Sequence, residues 1–314
     1  MKVIYNYAAG PEFAESLSAL SASGLDVAVC AESEDARLFE LLRDAEVLWH
    51  CLRPVDARVI DAAPRLRLVQ KIGVGVNTID LERARTRGIA VCNMPGTNSR
   101  AVAEHTLGLM LAVLRQIRRF DGDTRRGEGW SWGAARQDRL GEIGGCTIGL
   151  VGMGGIPQLL APTLIAMGAD VIYTARTAKP HLPYACVTLN ELLGRADIVS
   201  LHVPLSNETR HLLNASRFAR MRRGSVLVNT ARGALVDEPA LIDALDQGRV
   251  AGAGLDVFDN EPVALTNPLL RRDDVVVTPH IAWLTRETLQ RSLDVAVANC
   301  HRLANAQPLL HRVV

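Results

Sequence analysis

The chain has 314 residues, which is enough for two ordinary domains or a single large one. A hydrophobic share of 48% and a charged share of 22% are those of a globular protein. A net charge of +1 gives no reason to expect nucleic acid or a membrane surface as a partner. The six cysteines form no CxxC pair, so we expect no disulfide framework and no metal site. The N-terminus lacks the apolar core of a signal peptide and no apolar run has membrane-spanning length, so we expect a cytoplasmic protein.

Apolar runs of strand length recur along the chain and alternate with helical patterns. The predicted strands are 3–7, 25–30, 47–51, 66–73, 89–93, 146–152, 169–175, 197–203, 224–231, 251–258 and 274–280. Most are continuous runs of Val, Ile and Leu, which is typical of strands buried on both faces of a parallel sheet. This alternation predicts an α/β fold built from βαβ units, and the number of strands predicts two Rossmann-like domains with parallel sheets.

Two longer helical patterns divide the chain. The pattern at 99–120 predicts one crossover helix that leads into the second domain. The pattern after Trp283 predicts a C-terminal helix that returns to the first domain. We therefore expect a first domain at 1–98, a dinucleotide-binding domain at 99–284 and a C-terminal helical segment at 285–314.

The stretch GLVGMGGIPQLLAP at 149–162 has the form of a dinucleotide-binding turn between a strand and a helix. Gly152 would make the turn, and Gly154 would let the backbone approach a pyrophosphate. The N–H groups of Gly154, Gly155 and Ile156 would then face the phosphates at the start of the helix. The sequence therefore predicts a nucleotide site at this turn.

Two prolines interrupt this pattern. Pro157 replaces the third glycine, but a proline in the first turn of a helix loses no intrahelical hydrogen bond. Pro162 lies one turn later and should shift the helix start or bend the helix. We therefore expect the prolines to alter how the helix leaves the turn while the site still binds phosphates.

The residues after the next strand indicate which nicotinamide cofactor binds. No Asp or Glu ends this strand, where a carboxylate would accept the ribose 2′-hydroxyl. Arg176 and Thr177 stand there instead, and a guanidinium suits a 2′-phosphate. The sequence favours NADP, with NAD as the alternative.

Three later strands each end close to a polar residue that is suited to hydride-transfer chemistry. Ligands of an open parallel sheet bind at the carboxyl ends of the strands, so Arg232, Glu261 and His280 should converge there. Arg232 would bind the carboxylate of a 2-keto acid and polarise its carbonyl. His280 would protonate the carbonyl oxygen, and Glu261 would orient the ring and favour the imidazolium.

Motifs along nearly the whole chain resemble those of the D-isomer-specific 2-hydroxyacid dehydrogenases. They are GVGVNTID (73–80), NMPGTNSRAVAEH (93–105), VGMGGI (151–156), ADIVSLHVPLSNETR (196–210), VNTARGALVDE (228–238), GLDVFDNEP (254–262) and TPHIAW (278–283). The resemblance implies a cofactor domain inserted into a discontinuous substrate domain. It gives Arg232, Glu261 and His280 the same catalytic roles. The ending PHIAW and the NADP preference resemble the glyoxylate and hydroxypyruvate reductases of that family.

The resemblance also implies further contacts. Asp256 would bind the nicotinamide carboxamide, the amides of Val74 and Gly75 would hold the substrate carboxylate, and Trp283 would line the substrate site. The remaining predicted cofactor contacts are Thr106, Val203, Pro204, Thr209, Thr230 and Ala231. The chain departs from the family at Pro157 and at Asn77-Thr78, where an Asp-Asn pair is common.

Several further features bear on the oligomeric state, on structural roles and on alternative functions. The resemblance implies a homodimer formed through the cofactor domains, in which Trp130 and Trp132 either reach the partner's active site or only pack at the interface. We interpret His105 as a structural histidine and Asp237 and Glu238 as helix-capping residues. The alternatives to a small 2-keto acid reductase are a family enzyme acting on 3-phosphoglycerate and a nucleotide-sensing protein like the C-terminal-binding corepressors. Arg53 is one candidate cation for a phosphorylated substrate.

Overall fold

A computed structural model describes the backbone of residues 1–314 and every side chain except those at positions 135 and 136. The chain divides into two compact units. Unit 1 comprises Met1–Asn98 and Thr285–Val314, and unit 2 comprises Ser99–Leu284. Among the described residues, the helices are too short or too polar to cross a bilayer.

Unit 1 contains a five-stranded parallel sheet in the order β2-β1-β3-β4-β5. Its strands are β1 (Lys2–Asn6), β2 (Asp26–Val29), β3 (Val47–His50), β4 (Leu68–Lys71) and β5 (Ala90–Cys92). Its helices are α1 (Pro11–Ala19), α2 (Asp35–Leu42), α3 (Ala57–Asp61), α4 (Leu81–Thr86) and α11 (Arg286–Ala304). The central strands β3 and β4 are buried at every position, including the polar residues His50, Gln70 and Lys71 at their carboxyl ends.

The C-terminal helix α11 belongs to unit 1 because its side chains bond to the sheet. Asn299 of α11 is fully buried and donates to the Gln70 side chain on β4 over 2.6 Å. Arg67 donates from its guanidinium to the carbonyl of Leu303 near the end of α11. Thr285 caps the start of the helix by accepting from the Thr288 N–H.

Unit 2 contains a seven-stranded parallel sheet in the order β12-β11-β10-β9-β6-β7-β8. Its strands are β6 (Thr147–Val151), β7 (Asp170–Thr174), β8 (Ala185–Cys186), β9 (Ile198–Leu201), β10 (Ser225–Asn229), β11 (Val250–Leu255) and β12 (Val275–Val277). Its helices are α5 (Ser99–Leu114), α6 (Ile117–Arg125), α7 (Gly155–Ala166), α8 (Leu189–Arg195), α9 (Ala215–Phe218) and α10 (Glu238–Asp246). Short 3₁₀ turns lie at Leu20–Ser23, Ala134–Arg139, Gly233–Leu235 and Pro268–Arg271.

The strand order of unit 2 reverses between β6 and β9. The chain runs outward from β6 through β7 to β8 and then returns to β9 on the other side of β6. Apolar clusters cover both faces of the sheet, one around α5 and α7 and the other around α8 and α10. In an open parallel sheet, ligands bind at the carboxyl ends of the strands where the order reverses, which here is just beyond Val151 and Leu201. The predicted α/β class with two parallel sheets is confirmed.

Two details of the element prediction are wrong. The helix expected at 99–120 is two helices, because Gln116 adopts a left-handed backbone with φ of 49° between α5 and α6. The two-residue strand β8 was not predicted, since both of its residues are exposed and it forms only an edge of the sheet.

The prolines of α7 leave the start of the helix in place. The helix begins at Gly155 with Gly154 as its N-cap, so Pro162 does not shift its start. Pro157 is buried in the first turn, where the first helical bond runs from Gln158 N to Gly154 O. Pro162 lies inside the helix on its exposed side. The position of Pro157 fits the expectation that a spare helix N–H is lost there.

Candidate active site

The turn after β6 is closely packed on one side. Gly152 has φ of 100°, and a Cβ there would lie 2.5 Å from the carbonyl oxygen of His202, which follows β9. Only glycine fits both this backbone and this approach. Val203 lies against the same turn, with its Cγ1 3.0 Å from the added Cβ. The tight contact joins the two strand ends at which the sheet order reverses.

The other side of the same turn is open. A Cβ added to Gly154 would meet nothing within 4 Å, and Gly154 and Gly155 are exposed at the start of the twelve-residue helix α7. Free N–H groups and the helix dipole favour an anion at such a position. Arg176 and Thr177 are also exposed, just beyond β7, which pairs with β6. These residues fit the pyrophosphate and the adenosine end of a dinucleotide.

The segment after β10 is shaped around Arg232. The Asn229 side chain accepts from the Ala231 N–H at 3.0 Å and donates to the Arg232 carbonyl at 2.9 Å. Burial lowers the pKa of Arg232, while the nearby Glu261 carboxylate works in the opposite direction. Gly233 follows, and a Cβ there would lie 1.8 Å from the carbonyl carbon of Phe258. The absence of a side chain at Gly233 therefore lets the Arg232 segment approach the segment that carries Glu261.

Glu261 and His280 form a hydrogen-bonded pair. The Nδ1 atom of His280 lies 2.6 Å from Oε2 of Glu261, and Oε1 of Glu261 accepts from the Phe258 N–H at 2.9 Å. Desolvation works to raise the pKa of Glu261, but the bond to His280, the Phe258 N–H and the Arg232 charge together lower it. Glu261 is thus held as a carboxylate beside the imidazole.

The segment that carries His280 is hydrogen-bonded to Asp256 at the end of β11. The Asp256 carboxylate is fully buried and accepts from the Thr278 hydroxyl at 2.6 Å. It also accepts from the N–H groups of Ile281 and Ala282, both at 2.9 Å. These partners hold the loop, so a contact between Asp256 and the nicotinamide carboxamide stays a prediction that would require the carboxylate to become exposed.

The other predicted contact residues lie in several environments. Thr106 is fully buried and its hydroxyl lies 2.9 Å from that of Thr230, which is also buried. Thr209 donates to the Pro204 carbonyl at 2.7 Å, which closes the loop after β9. Trp283 is buried and donates from Nε1 to the His280 carbonyl at 3.0 Å. Their contacts with cofactor or substrate stay predictions.

In unit 1, the loop after β4 carries the predicted carboxylate-binding amides. Val74 is 46% exposed, and its carbonyl accepts from the Asn93 side chain. The fully buried His50 places Nε2 3.0 Å from the Thr78 hydroxyl and so ties β3 to the end of this loop. Buried Lys71 donates to the Cys51 carbonyl beside it. Thr78, which departs from the family pattern, is thus a hydrogen-bond partner of His50, a histidine with no recognisable motif around it.

Sequence reasoning missed one polar residue in unit 2, Thr278, which lies two positions before His280. His105, which the sequence predicts to be a hydrogen-bonded structural histidine, has its Nε2 2.9 Å from the Thr278 hydroxyl. Asp237, predicted to cap a helix, does so by accepting from the Ala240 N–H. Within the part of the chain that the structure describes, no group of three or more His, Cys, Asp or Glu side chains could hold a metal ion.

Comparison with known proteins gives a consistent answer. Residues 107–282 match the family model described as "D-isomer specific 2-hydroxyacid dehydrogenase, NAD binding domain". The chain is 41% identical over 271 residues to a glyoxylate reductase of Thermofilum pendens, covering 83% of this chain and 79% of that protein. It is 36% identical over 293 residues to a D-3-phosphoglycerate dehydrogenase of Archaeoglobus fulgidus, covering 91% of this chain. The chain spans only 54% of that second relative.

Among solved structures, the TT0316 protein of Thermus thermophilus superposes with a TM-score of 0.90 at 41% identity, covering all of both chains. The family match and these relatives identify the protein as a nicotinamide-dependent oxidoreductase that acts on 2-hydroxyacids. The chain belongs to the D-isomer-specific 2-hydroxyacid dehydrogenase family.

Proposed function

We propose that this enzyme reduces small 2-keto acids such as glyoxylate or hydroxypyruvate to 2-hydroxyacids, with NADPH as the favoured cofactor. The observation that carries the proposal is the 2.6 Å pair between His280 Nδ1 and Glu261 Oε2, with Arg232 close enough to influence the Glu261 charge. The glyoxylate reductases among the relatives support this substrate class.

The residues have distinct roles in this reaction. A bound nicotinamide cofactor would supply the hydride that the reduction of the carbonyl carbon needs. Because Nδ1 of His280 is engaged by Glu261, Nε2 is the nitrogen that delivers a proton to the carbonyl oxygen. Glu261 stabilises the imidazolium before that transfer. Arg232 holds the substrate carboxylate through its guanidinium and polarises the adjacent carbonyl.

The direct test follows oxidation of NADPH and NADH with glyoxylate, hydroxypyruvate, pyruvate and phenylpyruvate. We expect turnover with glyoxylate and hydroxypyruvate and little with phenylpyruvate. His280→Ala should abolish turnover and remove an ionisation from the pH profile of kcat/KM. Wild-type rates in His280→Ala would show the mechanism to be wrong.

The preference for NADPH rests on Arg176. Its guanidinium is exposed beyond β7, and no carboxylate ends that strand to bind a ribose 2′-hydroxyl. Arg176→Asp should shift the ratio of kcat/KM values toward NADH, whereas Arg195→Asp, in an exposed position on α8, should leave the ratio unchanged. An unchanged ratio in Arg176→Asp would contradict the assignment.

A 3-phosphoglycerate dehydrogenase is the second candidate, because several relatives at 36–42% identity carry that name. The phosphate of that substrate requires a cation. Arg53 pairs with Asp35 at 3.0 Å, so the phosphate would have to compete with that carboxylate. NAD⁺ reduction with 3-phosphoglycerate distinguishes the two candidates.

We also propose that the protein is a homodimer formed through unit 2. Trp130 is 85% exposed, whereas Trp132 packs edge-on against Phe120 with ring centroids 5.6 Å apart. A large exposed aromatic side chain is typical of an interface. Light scattering should give twice the chain mass, and Trp130→Glu should weaken the dimer. A monomer in the wild-type protein would contradict this proposal. A cytoplasmic location stays a prediction from the sequence.

A further inference from the structure

The backbone at His280 is held in a conformation that residues other than glycine rarely adopt. Its φ is 56°, in the left-handed region. Such a residue persists only when its surroundings over-determine it. The His280 N–H donates to the Asp256 carbonyl at 2.7 Å, and the Asp256 carboxylate accepts from the next two N–H groups. Asp256 thus fixes the backbone on both sides of the His280 Cα.

The Asp256 carboxylate is in turn linked to helix α5. The Thr278 hydroxyl lies 2.6 Å from Oδ1 of Asp256 and 2.9 Å from Nε2 of His105. A carboxylate can only accept, so the hydroxyl donates its single proton to Asp256. The hydroxyl must then accept from His105, which assigns the proton of the His105 ring to Nε2. His105 Nε2 is also 3.7 Å from Oδ1 of Asp256, so the chain of bonds is compact.

We propose that His105 is a positioning residue for the reaction, acting through Thr278 and Asp256 to hold His280 in its left-handed conformation. This inference rests on the proposed role of His280 as the proton donor. Three properties support it. His105 donates to the Thr278 hydroxyl, whose single proton is already donated to Asp256. The Asp256 carboxylate is the final acceptor in this series of hydrogen bonds and is fully buried. The same carboxylate binds the loop that carries His280.

The proposal requires the Nε2–H donor and does not require a charge on the ring. A side chain that keeps a donor at the same reach should therefore keep the function. His105→Gln retains an amide N–H, whereas His105→Leu removes the donor and leaves an apolar side chain of comparable size. Thr278→Ser retains the hydroxyl, and Thr278→Val removes it in the same shape. These two pairs separate loss of the bond from loss of packing.

The test measures kcat, KM and the cofactor dissociation constant of the full-length enzyme with NADPH and glyoxylate. We expect His105→Leu and Thr278→Val to lower kcat about tenfold or more, because His280 is then less well placed. The dissociation constant of NADPH, read by protein fluorescence, should stay within about twofold of wild type, which a general loss of structure would not allow. His105→Gln and Thr278→Ser should recover most of kcat.

A double-mutant cycle completes the test. If both residues act through one bond, His105→Leu combined with Thr278→Val should cost no more than either change alone. Additive losses, or wild-type kcat in His105→Leu, would overturn the inference. His301→Leu, at an exposed histidine on α11, serves as the control for replacing a histidine. A His280→Ala enzyme that kept its activity would instead overturn the proposed function, so the two failures are distinguishable.

Discussion

Replacing Gly233 with alanine tests how the candidate active site is assembled. The new Cβ would lie 1.8 Å from the carbonyl carbon of Phe258 and 2.0 Å from its oxygen, where ordinary contact begins at 3.4 Å. The segment after β10 must therefore move by more than an ångström from the segment that carries Glu261. Arg232 directly precedes Gly233 and moves with it. A displacement of this size in a catalytic group costs about 10²-fold in rate.

The assay compares kcat/KM for NADPH-dependent glyoxylate reduction with thermal unfolding of the same proteins. We expect Gly233→Ala to lose about 10²-fold in kcat/KM and to unfold at a lower temperature, since overpacking costs about 1–3 kcal/mol. Gly194→Ala is the matched control, because a Cβ there meets nothing within 4 Å inside helix α8. That change should stabilise the protein by up to about 1 kcal/mol and leave the rate unchanged. Wild-type kcat/KM in Gly233→Ala would refute the reasoning.

Three further predictions concern the nucleotide turn and the histidine behind it. Gly152→Ala should impair folding because the added Cβ would lie 2.5 Å from the His202 carbonyl oxygen and because φ is positive there. Gly154→Ala should unfold like wild type but bind NADPH more weakly. Equal effects of the two changes on folding would contradict this prediction. Pro157→Gly should change NADPH affinity only modestly in titrations, and cofactor binding that appeared only in the variant would show the natural site to be a relic. Burial lowers the pKa of His202 to about 4, so the unfolded chain binds its proton first as the pH falls. Stability should therefore drop by about 3 kcal/mol between pH 6.5 and 4, less in His202→Gln; urea unfolding curves with the same pH dependence in both proteins would contradict it.

Much of the fold could be predicted because its strands are buried on both faces. The β9 and β10 segments are buried at every position, and most of their residues are Val, Ile and Leu. The break between α5 and α6 could not be predicted in this way. It depends on the left-handed backbone of Gln116, and no glycine or proline marks that position. The weak edge strand β8 depends on pairing with β7 and leaves no apolar pattern of its own.

In the candidate site too, residues that follow strands could be predicted, whereas a bond that depends on long-range packing could not. Arg232, Glu261 and His280 could be proposed because each follows a recognisable strand, and parallel strands bring their carboxyl ends to one edge. The bond between His105 and Thr278 joins residues 173 positions apart in the sequence. His105 lies in a mostly apolar helix and carries no local signal that it faces that edge. Its partner becomes visible only once α5 packs on β10, β11 and β12.

The environment of Asp256 shows why a side chain's role is harder to predict than its position. The sequence places Asp256 correctly at the end of β11, next to the other polar strand ends. The loop that follows β12 supplies the hydrogen-bond donors that occupy the Asp256 carboxylate, which are a hydroxyl and two N–H groups. A buried carboxylate with three donors is stabilised where it is, and withdrawing one donor would leave charge poorly compensated. We therefore expect changes at Asp256 to act on the His280 loop before they act on the cofactor. Asp256→Asn should lower kcat more than it weakens NADPH binding, and the reverse order in steady-state and binding measurements would favour the carboxamide contact.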